Sequence, residues 1–324
     1  MNDNNPDREA LPAAQPALDR EGWLTLLDNM GESSGYFEPL GDHHWAVFSD
    51  DGKTLLVTFD RLEDIQANDP GKMPFCYGLA TKNGWSHLSV ISEGESWYRD
   101  PAIYRYLDKL VDDAFFDNFS RVVFYGAEMG GYAACAFSVA APGSTVVAVS
   151  PRATLDPSVS GWDKRHLAQR RLNFTDRYGY APDMTEGASE VFVIHDPRQT
   201  EDAMHAALFG KPFVTQLRAR FSGPELSKTL EDMKLLPKIV QAAADRTLTK
   251  SLFDRLYRAR RNDGNYLRRI LHACIEAGRP LREAMICRSV TTRMRAPGFR
   301  RHLTRLEESG VLGEVTATAE QQDA

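Results

Sequence analysis

The residue best placed to do chemistry is a carboxylate in a glycine-rich turn. Glu128 stands in Gly126-Ala-Glu-Met-Gly-Gly131, after the apolar run Val122–Tyr125 and before an alanine-rich helical pattern. That is strand, sharp turn and helix, with glycines where backbones must come close. A glutamate there can work as acid, base or nucleophile. It can also rest as an ion favoured by the helix N-terminus and paired with an arginine. Further along, His195 closes the run Val191–His195 and is followed by Asp196, Pro197 and Asp202. His195 and Asp196 could be acid–base partners; alternatively His195 caps the sheet and Asp196-Pro197 starts a turn. Arg99, in Trp97-Tyr-Arg-Asp-Pro101, and Arg152, in Ser150-Pro-Arg152, could each bind an anion or the Glu128 carboxylate. Trp97 and Tyr98 otherwise read as a packed lid. A glutamate titrating near neutral pH would favour catalysis at this turn, and an ion-paired one with a depressed pKa would favour binding.

The elements that must position these groups alternate along the chain. Strand candidates are Leu55–Phe59, His87–Ile91, Val122–Tyr125, Val146–Ser150, Val191–His195 and Phe213–Arg218. Crossover helices fit between them, Ala102 to Phe116 most clearly. Fully apolar strands spaced by helices predict an α/β fold with a mainly parallel sheet covered on both faces. His44–Ser49 and Thr54–Phe59 flank Asp50-Asp-Gly-Lys53, which reads as a β-hairpin. Glu21 to Asn29 has helical spacing that would pack Trp23, Leu24 and Leu27 on the sheet. Pro237 lies inside a helical pattern that starts near Leu226 and could kink it.

The turn at Gly126–Gly131 resembles the nucleophile elbow of the α/β-hydrolases, G-x-Ser-x-G-G, with Glu128 at the serine position. The resemblance covers about Leu55 to Leu235 and implies a hydrolase-type sheet. It places the family's orienting acid at Asp202 or Asp196, and the base in the loop Ala219–Leu226. No histidine lies between His205 and His272, and Glu225 occupies roughly the expected place. With serine and histidine both missing, acyl transfer has no proton relay. The resemblance therefore implies a non-catalytic homologue, binding or regulatory. Its pocket would lie over Glu128, lined by Met129, Arg99, Arg152 and His195. The alternative it leaves open is a hydrolase in which Glu128 acts with His195 or Asp202.

Over most of its length the chain also resembles bacterial proteins named phosphoadenosine phosphosulfate reductase, which would imply sulfonucleotide reduction. Members of that group carry an S-G-G-x-D-S pyrophosphate loop and a nucleophilic cysteine in an E-C-G-x-H segment. Neither pattern occurs in this sequence, and Cys274 and Cys287 fall in helical, arginine-rich surroundings.

Composition bounds the rest. The 324 residues suffice for one large α/β unit and a small appendage. The reading is a disordered tail over 1–20, a hydrolase-like domain over 21–245, a basic helical region over 246–312 and a tail over 313–324. In the basic region Leu248–Tyr257, Tyr266–Ala277 and Leu281–Val290 have amphipathic spacing. Sixteen Lys or Arg stand against four acids between Arg246 and Arg305, a balance of +12 against −18 for the remainder. That asymmetry speaks of partners or self-association through the basic helices. Arginine-rich helices with only Tyr257 and Phe299 interleaved fit solvation or docking on an acidic neighbour better than nucleic-acid binding. Four scattered cysteines exclude a zinc ribbon and a disulfide framework. His43, His44 and His87 read as packed or solvated side chains, and His205 as a histidine on a helix face. No metal or cofactor is expected. The N-terminus lacks a cationic start and apolar core, and no run approaches the roughly 20 apolar residues of a membrane span. The chain reads as cytoplasmic.

Overall fold

The computed structural model describes residues 20–68 and 73–310. The expected tail over Met1 to about Asp19 and the last residues, Thr316 to Ala324, lie outside them. Eight strands form one sheet: β1 (Gly35–Pro39), β2 (His44–Ser49), β3 (Thr54–Arg61), β4 (Ser86–Ser92), β5 (Arg121–Ala127), β6 (Thr145–Val149), β7 (Glu190–His195) and β8 (Val214–Arg218). Their spatial order is β1-β2-β4-β3-β5-β6-β7-β8. β1 and β2 pair antiparallel, as do β2 and β4; every other pair is parallel. The six strands expected from apolar runs are all present. The half-exposed edge strand β1, with a proline and a glutamate in five residues, lacks such a run.

The expected hairpin between His44–Ser49 and Thr54–Phe59 does not form. β4 lies between the two strands and pairs with both. All seven residues of β4 are buried, so it needs a neighbour on each edge. Its first residue also ties down the Asp50–Lys53 turn: Ser86 Oγ accepts the N–H groups of Asp51 and Gly52 at 3.0 and 3.1 Å. A side chain at Gly52 would meet the Gly84 carbonyl, 2.1 Å from an ideal Cβ. The Asp-Gly pair thus serves a close crossing with the segment that leads into β4.

Helices cover both faces: α1 (Arg20–Ser34), α2 (Leu62–Asn68), α3 (Tyr77–Asn83), α4 (Pro101–Asp112), α5 (Met129–Phe137), the single turns α6 (Pro157–Ser160) and α7 (Ala181–Met184), α8 (Thr200–Leu208), α9 (Leu226–Asp232) and α10 (Leu236–Ala244). α5 is buried along its whole length, which its alanines permit. It packs with α4 on one face, around Phe59, Phe124 and Phe137. α9 and α10 cover the other face, around Tyr125, Val149 and Ile239. Trp23 and Leu27 of α1 pack on Trp45 and Ile91 of the sheet, with Leu24 half-buried beside them. Pro237 sits in the first turn of α10, where its missing N–H costs nothing, so the chain breaks between two helices rather than kinking one.

Beyond Asp245 the described chain is helical: α11 (Lys250–Leu256), α12 (Gly264–Glu276), α13 (Pro280–Arg293) and α14 (Pro297–Glu308). α14 extends the three helices expected from the sequence. The last three enclose a small core of Leu267, Cys287, Val290 and Phe299. Tyr257 joins the region to the sheet edge, its hydroxyl donating to the Arg220 carbonyl at 2.8 Å and accepting from Ser222 at 2.6 Å.

Candidate functional site

β5 delivers the chain into the turn that carries Glu128, and α5 starts at the next residue. Glu128 has φ 53° and ψ −109°, a conformation that non-glycine residues rarely adopt. Its N–H donates to the Val149 carbonyl of β6 at 2.8 Å, and its carbonyl accepts the Tyr132 N–H at 3.0 Å. The glycines are needed for steric reasons. An ideal Cβ at Gly126 would lie 2.0 Å from the Gly130 carbonyl oxygen, and one at Gly130 2.3 Å from that of Phe59. Strand, strained turn and buried helix follow one another at the C-terminal edge of a mainly parallel sheet whose first strands run antiparallel. The fold is of α/β-hydrolase type.

The Glu128 side chain is exposed, and its recorded hydrogen bond is a long one from the Ser227 hydroxyl of α9, at 3.5 Å. No cation lies within 4.0 Å of it among the described residues, so the alternative of a carboxylate paired with an arginine is not met there. Loss of hydration against the surrounding protein raises its carboxyl above the ordinary range, and the Arg152 guanidinium opposes the rise.

The positions expected for acid and base are occupied otherwise. Asp196 follows β7, is fully buried, and accepts the Arg198 N–H at 3.0 Å and the Gly223 N–H at 2.9 Å. Its carboxylate thus starts a turn and holds the loop after β8 by the backbone, where a hydrolase would hold a histidine ring. Glu225 in that loop is exposed and precedes α9. His195 is buried at the end of β7 with Nδ1 unpartnered, and burial, aided by Arg218, lowers its pKa. Among the described residues no histidine hydrogen-bonds or pairs with Glu128.

Asp202 belongs to a buried charge cluster. It accepts from Arg165 at 2.6 Å and faces Arg152 Nη1 at 3.2 Å. Asp163 takes a forked contact from Arg165 and the Nε2 proton of His205 at 3.1 Å. The Ala153 N–H donates to His205 Nδ1 at 3.1 Å, which fixes the proton on Nε2. His205 lies in α8, as a histidine on a helix face, and that face is the buried one, which makes it a fully buried member of this cluster. Although burial works against it, the His205 and Arg165 hydrogen bonds hold the Asp163 carboxyl far below the usual range. Arg152 donates Nη1 to the Ser150 carbonyl at 2.7 Å, while its Nε makes no hydrogen bond and lies 3.8 Å from Asp163 Oδ2. Asp163 and Arg165 went unread in the sequence because nothing local distinguishes Trp-Asp-Lys-Arg-His from a surface turn.

Arg99 lies apart from Glu128. Its guanidinium donates to the carbonyls of Asn173 and Arg177 at 2.8 and 2.9 Å, pairs with Asp176, and lies against the rings of Tyr104 and Phe174. Trp97 and Tyr98 are fully buried, both at positive φ. The Trp97 N–H points at Met129 Sδ, 3.1 Å away, so Met129 is turned into the core. A second polar group was not read in the sequence. Thr58 Oγ1 sits 2.8 Å from Asp60 and 3.0 Å from His87 Nε2. Desolvation raises Asp60 to about 6 and lowers His87 to about 3. Cys287 is buried, which pushes its thiol up to about 11, the opposite of what a nucleophilic thiolate needs. No cluster of three or more His, Cys, Asp and Glu among the described residues is arranged to hold a metal ion, and no helix among them is long and apolar enough to cross a membrane.

No family model matches the chain, and no curated protein proves similar to it, so the likeness to phosphoadenosine phosphosulfate reductases gains no support there. Among solved structures the chain is similar to an esterase of Pyrobaculum calidifontis (16% identity over 72% of this chain and 95% of that one, TM-score 0.42). It is also similar to an acylaminoacyl peptidase of Pyrococcus horikoshii (9% identity, 67% and 42% covered, TM-score 0.44). A third is Est1E of Butyrivibrio proteoclasticus (12% identity, 67% and 98% covered, TM-score 0.41). Two clefts of about 400 and 360 Å³ lie away from the elbow, one beside β1 and α4, the other beside α12; Glu128 lines neither.

Proposed function

We propose that the protein is a hydrolase-type scaffold that binds at its elbow without hydrolysing, in a binding or regulatory role. The observation that carries this is the state of the relay positions. Each oxygen of Asp196 is engaged by a backbone N–H, Asp202 is held by two guanidiniums, and among the described residues no histidine reaches Glu128. A covalent route needs a base to activate water in its second step, and this arrangement supplies none. What the turn offers is a carboxyl group on a rigid strand–helix junction, raised in pKa and free of ion pairing. Such a group accepts hydrogen bonds when ionised and donates one when protonated. Its ligand is then a molecule bearing hydroxyl or amine groups.

The raised, unpaired carboxyl is the state that favours catalysis over ion-paired binding, and it supports a second reading, in which Glu128 serves a reaction as general acid or base in one step. Hydrolysis of p-nitrophenyl acetate by the purified protein, beside Glu128→Gln and Glu128→Ser, separates the two. Binding alone predicts no turnover above background in any of the three. Turnover in the parent that disappears in Glu128→Gln would make the elbow carboxylate catalytic and overturn the binding reading.

A further inference from the structure

The cleft of about 360 Å³ lies between the loop after β7, the loop after β8 and helix α12. Three guanidiniums line it: Arg198 from the first loop, Arg268 and Arg269 from α12. Among the described residues none of the three has a carboxylate within 4.0 Å. Arg268 donates to the Asn265 side chain at 2.6 Å; Arg269 makes a long contact of 3.4 Å to the Phe221 carbonyl. Arg198 lies over the Phe221 ring, 4.6 Å from its centroid. Each guanidinium carries five N–H donors, so most of this donor capacity is unspent.

The carboxylates at the cleft do not spend it. Asp196 gives one oxygen to the Arg198 N–H and the other to the Gly223 N–H. Glu276 pairs with His272 one helical turn away, at 3.4 Å. Gly223 lets Arg269 come close. Its φ is +82°, and an ideal Cβ there would lie 2.7 Å from Arg269 Nε and 2.8 Å from Cζ. A larger residue at 223 would therefore be strained and would press on the guanidinium.

We propose that this cleft binds a small phosphate-bearing molecule, held by Arg198, Arg268 and Arg269 with Phe221 as its apolar wall. Guanidinium forks match phosphate oxygens in geometry as well as charge. The volume exceeds that of a bare ion and falls in the range of small-molecule sites, roughly 300–1,000 Å³. The site is independent of what happens at Glu128. Its ligand would join α12 to the loop after β8, linking the basic helical region to the sheet.

Titration calorimetry of the full chain with pyrophosphate at low ionic strength tests this. Arg269→Gln and Arg198→Gln are each expected to weaken binding at least about tenfold, as the loss of a charge-assisted contact does. Arg300→Gln, an exposed substitution on α14 away from the cleft, is expected to change it less than about twofold. Absence of binding to the parent at millimolar pyrophosphate overturns the proposal. So does equal weakening by Arg300→Gln, which would mean diffuse attraction to the basic helices. If Arg269→Gln does not fold, Arg198→Gln decides alone, since among the described residues its guanidinium makes no ion pair and rests on the Phe221 ring.

Discussion

Two carboxylates near the C-terminal edge of the sheet, Glu128 and Asp202, have opposite surroundings. Glu128 protrudes from a strained turn and meets one hydroxyl at 3.5 Å. Asp202 is buried between two arginines, in a cluster where two guanidiniums balance two carboxylates around a neutral histidine. Both were candidates for the same chemistry, yet only the first is unengaged. The difference shows that the elbow's shape and its reactivity have separate causes. Glycine sterics at 126 and 130 hold the turn whatever side chain stands at 128. A proton relay needs side chains from distant loops, and here those loops are closed by backbone hydrogen bonds and ion pairs.

Breaking the buried cluster should have the largest effect. Asp163→Ala removes one of the two carboxylates of Arg165, the acceptor of the His205 proton and a counter-charge of buried Arg152, leaving two guanidiniums against Asp202 alone. A loss of about 4 kcal/mol is expected in urea unfolding at pH 7. The pH dependence sharpens the point. The Asp163 carboxyl titrates lower in the folded than in the unfolded chain, so its stabilisation is present above the unfolded value of about 3.9 and drains away as pH falls below it. Asp163→Asn should flatten that acid limb; an unchanged limb would mean the cluster holds no special charge.

Next in size is the elbow's backbone. Gly126→Ala sets a methyl group 2.0 Å from a carbonyl oxygen of the following helix, which cannot yield without displacing α5. We expect a loss of about 3 kcal/mol. Gly78→Ala, in α3 with nothing within 4 Å of the added methyl, is the matched control and should gain about 0.5–1 kcal/mol. Equal outcomes at the two glycines would mean that close approach is not what shapes the turn.

Much of the fold was legible because its causes are local. The apolar runs of β3 to β8 and the glycines of the elbow state their requirements within a few neighbouring residues. The strand order was less so. The Asp50–Lys53 turn looked like a hairpin because the intruder, β4, begins more than thirty residues later, at Ser86. The charge cluster was hidden for the same reason. Asp163 meets His205 across 42 positions and Arg165 meets Asp202 across 37. Arg99 and Arg152 stand out in the sequence by charge, but the partners that engage them, Asp176 and Asp202, lie far along the chain. At the site, Glu128 could be read from spacing alone, whereas the closure of the relay positions by Asp196 and Gly223 could not.

The smallest expected effect bears most directly on the comparison. Glu128 holds a φ of 53° and a ψ of −109°, which costs a non-glycine residue on the order of 1–3 kcal/mol. Glycine relieves that strain but loses more chain entropy on folding, roughly 0.5–1 kcal/mol. The side chain gives back little, since its recorded contact is one long hydrogen bond. Glu128→Gly should therefore raise stability by about 1 kcal/mol, while Glu128→Ala, which keeps the strain, should stay within about 0.5 kcal/mol of the parent. The gap between the two variants isolates the backbone term from the carboxylate. If both instead destabilise the fold as severely as Asp163→Ala, the elbow glutamate is an anchor like Asp202, and its availability to a ligand is lost as an argument.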